Sequence, residues 1–187
     1  MNRILGTYSD KELLMLLKSN KREADKAFSE LYYRYSPRIH AYCVTMINDR
    51  DQAEDIFQET FIRFYNQVNP DYDATNVPGY LMTIARHLCL NYKRDKHRTV
   101  PIEDMENVFI DLNEYEKNEM FDLIMRAVDL LDDKFKDAFV LREISGFLYT
   151  EIADITNTSV TNAKTRVARA REKLIEILEP YLKEMMQ

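Results

Sequence analysis

GFLYTEIADITNTSVTNAKTRVARAREKL, residues 146–174, reads as a short helix, a polar turn and a longer helix. Gly146 suits the left-handed residue that closes a preceding helix. Residues 149–156 form the short helix, with Ile152 and Ala153 inward and Ala153 small enough for close helix contact. Asn157, Thr158 and Ser159 make the turn, where Thr158 or Ser159 can accept the orphan N–H groups that open the next helix. Val160, Ala163, Val167, Ala170 and Leu174 then recur at three and four residues, one face of a helix. Around that stripe stand Lys164, Arg166, Arg169, Arg171 and Lys173 against Glu172 alone. A solvated surface is the commoner meaning of a basic helix face. The turn chemistry, the small residue at the crossing and the one-signed charge point instead to a helix-turn-helix whose second helix enters a DNA major groove.

The rest of the chain is of the same kind. Among 187 residues only three glycines and five prolines interrupt apolar residues set mostly at helical spacing. An all-α fold of two small helical domains is expected. No apolar run approaches the ~18 residues of a membrane span, and no signal-peptide pattern opens the sequence. No membrane insertion and a cytoplasmic location are therefore expected. Cys43 and Cys89 lie inside apolar helical patterns and fit buried thiols in a reducing compartment. His40, Cys43, His87 and Cys89 could be drawn together as a zinc site, but His87 and Cys89 are two residues apart and point away from each other. With no paired Glu-x-x-His motif, phosphate loop or nucleophile–base constellation, neither enzyme activity nor a metal or cofactor is expected.

The net charge of −6 is awkward for binding DNA, because neutralising phosphates drives that affinity. Its distribution resolves the difficulty. Arg86, Lys93, Arg94, Lys96 and Arg98 against Asp95 make one basic stretch, and the second helix of the motif makes another. Between them, residues 99–122 carry eight acidic side chains against Lys117 alone. Such a chain should hold DNA weakly unaided, and its balance fits delivery to DNA by a larger partner.

The expected organisation is a lead-in (residues 1–20), a helical domain (21–98), a flexible acidic linker (99–119) and the helix-turn-helix domain (120–187). Residues 10–18 form one helix of the lead-in. In residues 25–46, Ala27, Phe28, Leu31, Tyr32 and Tyr35 share a face, and Pro37 should break or kink the helix. The turn at residues 48–51 caps a helix over residues 52–68 with Ala53, Phe57, Phe61, Phe64 and Val68 inward. Opposite that stripe, Asp55, Gln58, Glu59 and Ile62 project together; an apolar Ile62 amid charges hints at an interface. After a loop at residues 69–78, the helix 79–97 has Tyr80, Leu81, Ile84, Leu88 and Tyr92 as apolar members. Its mixture of aromatic, amide and basic residues suits single-stranded nucleic acid, although both tyrosines could equally be core. Pro180 should end or kink the last helix.

QAEDIFQETFIRFY, PGYLMTIARHLCLNYKR, an acidic linker and LREISGFLYTEIADITNTSVTNAKTRVARAREKL, in that order, resemble bacterial RNA polymerase sigma factors of the extracytoplasmic-function (ECF) class. The resemblance runs from about residue 25 to residue 178. It implies a subunit that binds core RNA polymerase and promoter DNA. Asp55, Gln58 and Glu59, with Ile62 beside them, match the face that docks on the clamp coiled coil of the largest polymerase subunit. Tyr72, Arg86, His87, Asn91, Lys93, Arg94 and Arg98 match elements that read and open the −10 element, where a base is flipped into a protein pocket. Lys164, Thr165 and Arg169 match base-facing positions for the −35 element, with Arg142, Tyr149 and Arg166 on its backbone. Family members are often held by an anti-sigma factor. A helix-turn-helix regulator that acts without polymerase is the competing reading. Against the family pattern, His87 replaces a more usual Asn, Leu148 a capping Ser, Asn157 a turn Gly, and Thr161-Asn162-Ala163 a Gly-Thr-Val.

Overall fold

The computed structural model describes residues 5–67, 76–99 and 119–185, and among them every regular element is helical. The chain divides into two compact units, Met1–Lys93 and Arg94–Gln187. The acidic segment over residues 100–118 and most of the loop before the fourth helix lie outside the described residues.

A single 3-10 turn, Leu5–Thr7, precedes α1 (Asp10–Leu16). Ser9 and Glu12 open α1 with a reciprocal capping box, each side chain serving the other's backbone N–H. Leu13 and Leu14 are fully buried, so part of the expected lead-in packs into the first unit, against α2 (Lys21–Met46). Arg34 fastens the two helices. Its guanidinium reaches Asp10 Oδ1 at 3.0 Å, Glu30 Oε1 at 2.8 Å and the Tyr8 carbonyl at 2.8 Å. Burial disfavours this charge, but the two carboxylates outweigh it and hold the Arg34 pKa above its ordinary value. Tyr35 O–H also donates to Asp10.

Pro37, expected to break or kink α2, does not break it: the helix continues through that residue. Pro37 is exposed, so the carbonyl that loses its backbone partner can be hydrated. Of the expected α2 face, Ala27 and Leu31 are buried, while Phe28 and Tyr35 are half-buried and Tyr32 is exposed. The core is completed instead by Ala24, Ile39, Tyr42, Cys43 and Met46.

Asp49 caps α3 (Arg50–Gln67) by accepting from the Gln52 N–H at 3.1 Å. Ala53, Phe57, Phe61 and Phe64 face inward as expected; Val68 lies outside the described residues. Phe28, Tyr32, Phe57, Phe61 and Tyr65 form an aromatic seam between α2 and α3, its ring centroids 4.8–6.4 Å apart.

The fourth helix, α4 (Val77–Thr99), buries Val77, Leu81, Met82, Ile84, Ala85 and Cys89. Of its other apolar members, Tyr80, Leu88 and Tyr92 are half-buried. Tyr80 meets Phe64 of α3 with ring centroids 6.1 Å apart, and Cys89 meets the Cys43 thiol of α2. Both thiols are free and fully buried. The neighbouring Cys89 thiol, then burial, pushes the Cys43 pKa up.

In the second unit, α5 (Glu119–Asp129), α6 (Asp133–Phe139) and α7 (Tyr149–Thr156) all pack on α8 (Val160–Met185). Residues Val140–Ile144 widen into a π-helical turn that closes α6, with the Ser145 N–H donating to the Val140 carbonyl at 2.8 Å. Gly146 follows at φ 70°, the left-handed closing residue that its position demanded. Lys136 is buried and neutralised by Asp129 at 2.7 Å. As at Pro37, α8 runs through Pro180, which is exposed, rather than ending there.

Candidate nucleic-acid and partner surfaces

Helix α7 lacks a side-chain acceptor at its cap because Leu148 occupies that place. Glu151 compensates in part, its carboxylate accepting from the Leu148 N–H at 2.7 Å. Asn157 closes α7 at φ 50° and ψ 55°, a left-handed conformation that Asn tolerates. Ser159 then opens α8 by accepting from the Asn162 N–H at 3.1 Å. Ala163, Val167, Ala170 and Leu174 are buried, and Ile152, Ala153 and Ile155 of α7 are buried in the same unit. That seam fixes which side of α8 faces out.

On the outer side, three of the predicted −35 residues come together. The Arg142 guanidinium lies 4.7 Å from the centre of the Tyr149 ring, and Lys164 Nζ lies 5.9 Å from it. Each cation–π contact is worth about 0.5–1 kcal/mol at an exposed site. Arg142 is further aimed by donating to the Phe147 carbonyl at 2.9 Å. Lys164, Thr165 and Arg169 are exposed and Arg166 is half-buried. The Thr165 hydroxyl donates to the Thr161 carbonyl at 2.9 Å, leaving its oxygen lone pairs to accept.

The five basic residues of α8 from Lys164 to Lys173 divide into two groups. Arg171 is bound to Glu143 at 2.6 Å, and Lys173 to Asp132 at 2.6 Å, with Lys173 also 5.0 Å from the Phe135 ring centre. Glu143 raises the Arg171 pKa, and the Lys173 hydrogen bond lowers that of Asp132. These two cations tie α8 to its own unit. Among the described residues, no ion pair holds Lys164, Arg166 or Arg169.

On α4, His87 and Asn91 are exposed one turn apart. Arg86 and Lys93 are half-buried; Arg94 is exposed, 3.5 Å from Asp95. The side chain of Arg98, and Tyr72 entirely, lie outside the described residues. Sequence reasoning missed what opens this helix. Asn76 Oδ1 accepts from the Gly79 N–H at 2.9 Å, a cap that an Asn three residues before a Gly could have signalled.

On α3, Asp55, Gln58 and Ile62 are exposed, and Glu59 is half-buried with Arg63 Nε at 2.6 Å. Ile62 shows 54% of its surface. Tyr65, one turn on, is also exposed and meets Phe28 at 5.2 Å. The apolar component of this face is therefore wider than Ile62 alone. Among the described residues no group of His, Cys, Asp or Glu could hold a metal ion, and no helix is long and apolar enough to cross a membrane.

Comparison with known proteins follows the same division. Residues 31–99 match the family model for Sigma-70 region 2, and residues 121–174 the model for Sigma-70, region 4. The ECF RNA polymerase sigma factor EcfG of Rhodopseudomonas palustris is 30% identical over 146 residues, covering 76% of this chain and 80% of that protein. This chain belongs to the ECF RNA polymerase sigma factors. The ECF sigma factor SigM of Bacillus subtilis is 28% identical over 149 residues, covering 78% of this chain and 91% of its own. A solved structure of the sigma factor RpoE with the anti-sigma factor NepR, from Bartonella quintana, aligns with a TM-score of 0.69 at 25% identity. That alignment covers 82% of this sigma factor and 98% of the other chain. Members of the family are transcription initiation factors that bind DNA, not catalysts.

Proposed function

We infer that this sigma factor binds core RNA polymerase in the cytoplasm and directs it to specific promoters. The outer face of α3, with Asp55, Gln58, Glu59 and Ile62, docks on the clamp coiled coil of the largest polymerase subunit. Helix α4 and the loop before it read and open the −10 element. His87 and Asn91 face the opened strand, while Tyr72, Arg86, Lys93, Arg94 and Arg98 stack with bases or hold phosphates. The α7–α8 unit docks on the −35 duplex through Lys164, Thr165 and Arg169 on bases and Arg142, Tyr149 and Arg166 on the backbone. Residues 21–98 and 120–187 act as the two reading domains, joined by the acidic linker over residues 99–119. The anti-sigma factor bound to the Bartonella quintana relative makes a regulator of that kind the expected third partner.

The observation that carries this reading is the division of cations on α8. Arg171 and Lys173 are held within the unit, whereas no ion pair among the described residues holds Lys164, Arg166 or Arg169, and Lys164 shares the Tyr149 ring with Arg142. A helix that used its basic residues only for solubility would have no need to sort them so. Lys164→Ala and Arg169→Ala should each lower −35-dependent initiation by roughly tenfold or more, since a good base contact is worth about 1–3 kcal/mol. Polymerase binding should be unchanged. Normal initiation by both variants at every cognate promoter would remove the proposed readout.

A further inference from the structure

The geometry points to Asn162 as a specificity-determining residue that reads adenine in the −35 element, with Thr158 as its positioning residue. This rests on the −35 docking proposed above. Asn162 is exposed in the first turn of α8, and in a helix-turn-helix the N-terminal residues of the second helix are those that reach base edges. It leads the outward row continued by Thr165, Arg166 and Arg169, at spacings of three, four and seven residues.

Its backbone and side chain are both fixed from the turn. The Asn162 N–H donates to Ser159 Oγ at 3.1 Å, and Asn162 Nδ2 donates to Thr158 Oγ1 at 3.2 Å. One amide hydrogen is thereby held, which orients the plane and leaves the second hydrogen and Oδ1 for a partner. Holding the amide before binding reduces the entropy lost when it meets a base. Adenine presents an acceptor, N7, beside a donor, N6–H, in the major groove, and an amide offers the complementary donor and acceptor together. Guanine presents two acceptors there, and thymine or cytosine only one polar group each. A neutral amide also releases no counterion, so a phosphate contact would use it poorly.

The test is transcription by holoenzyme assembled from core polymerase and the full chain, on a promoter library randomised across both elements, with transcripts read by sequencing. The native chain should prefer adenine at one −35 position by about 5- to 150-fold. Asn162→Ala should flatten the preference at that position alone and leave the others intact. Thr158→Val, which keeps the Asn162 side chain, should weaken the same preference and add nothing in the Asn162→Ala background. An unchanged sequence profile in Asn162→Ala, or a loss spread evenly over all sequences, would overturn the assignment. Native holoenzyme that initiates with no −35 preference at all would overturn the docking model beneath it, a result distinct from either of these.

Discussion

At Gly79 a missing side chain makes room for a cap. A Cβ there would lie 2.3 Å from Asn76 Nδ2, so any larger residue displaces the side chain that opens α4. Two effects then compete. Ala in place of Gly favours the helix by roughly 0.5–1 kcal/mol, and loss of an Asn cap costs about 0.5–2 kcal/mol. The coupling is the measurable part. Asn76→Ala should cost about 1 kcal/mol in urea unfolding of the native chain and close to nothing in a Gly79→Ala background. Equal costs in both backgrounds would show that the cap does not depend on the missing Cβ. Caps of this range were mostly legible in the sequence, because donor and acceptor lie within three residues. Asp49, Ser159, Gly146 and the left-handed Asn157 all follow from residue type at a boundary. Leu148 was legible only as a lost cap. That Glu151 reaches back to its N–H could have been read from the spacing as well.

At the scale of elements, helical periodicity placed the helices but not every face. In α3 the inward Phe57, Phe61 and Phe64 leave Asp55, Gln58 and Ile62 exposed as the rotation of about 100° per residue requires. In α4 the large Leu81 and Met82 are fully buried with the small Ala85 and Cys89, whereas Tyr80, Leu88 and Tyr92 are only half-buried. Neither Pro37 nor Pro180 stopped its helix, since local preference yields where the proline sits on the solvent side. Ion pairs across elements were beyond sequence reading. Glu143 lies 28 residues from Arg171, and Asp132 lies 41 from Lys173. Without them all five cations between Lys164 and Lys173 looked equally available. For the α3 face, Asp55→Lys with Glu59→Lys should strongly reduce copurification with core polymerase. The fold should hardly notice. Replacing the Glu59–Arg63 pair by like charges one turn apart costs only a few tenths of a kcal/mol. Unchanged copurification with a folded variant would exclude this face as the docking surface.

For the whole molecule, the groups with shifted pKa values act at opposite ends of the pH scale. Lys173 holds Asp132 below its ordinary value of 3.8. A depressed folded pKa gives stability that is present above the ordinary value and lost as pH falls through the lowered one. Asp132 and Lys173 form a solvent-screened surface pair, so this acid-side contribution is small, and Asp132→Asn should remove it. In the first unit, burial and then the hydrogen bond to Asp10 raise Tyr35 above its ordinary 10.0, and Cys43 is raised above 9.0 by Cys89 and by burial. Raised folded values give stability that is complete below the ordinary pKa and lost as pH rises through the folded one. Urea unfolding against pH should show a plateau between about 4 and 9, with an alkaline limb reduced in Tyr35→Phe. An alkaline limb untouched by Tyr35→Phe would exclude Tyr35 as its source.

The molecule's net charge of −6 bears on the central claim. Its cations are outnumbered by its carboxylates, so affinity for a promoter must come mainly from the assembly that the chain joins. Run-off transcription from promoter fragments, with core polymerase in the presence and absence of this chain, tests that dependence directly. A discrete promoter-specific transcript should appear only when both are present, and the chain alone should bind the same fragments weakly. Tight, sequence-specific binding by the chain alone, with no initiation conferred on core polymerase, would contradict it and mark a regulator that acts without the enzyme.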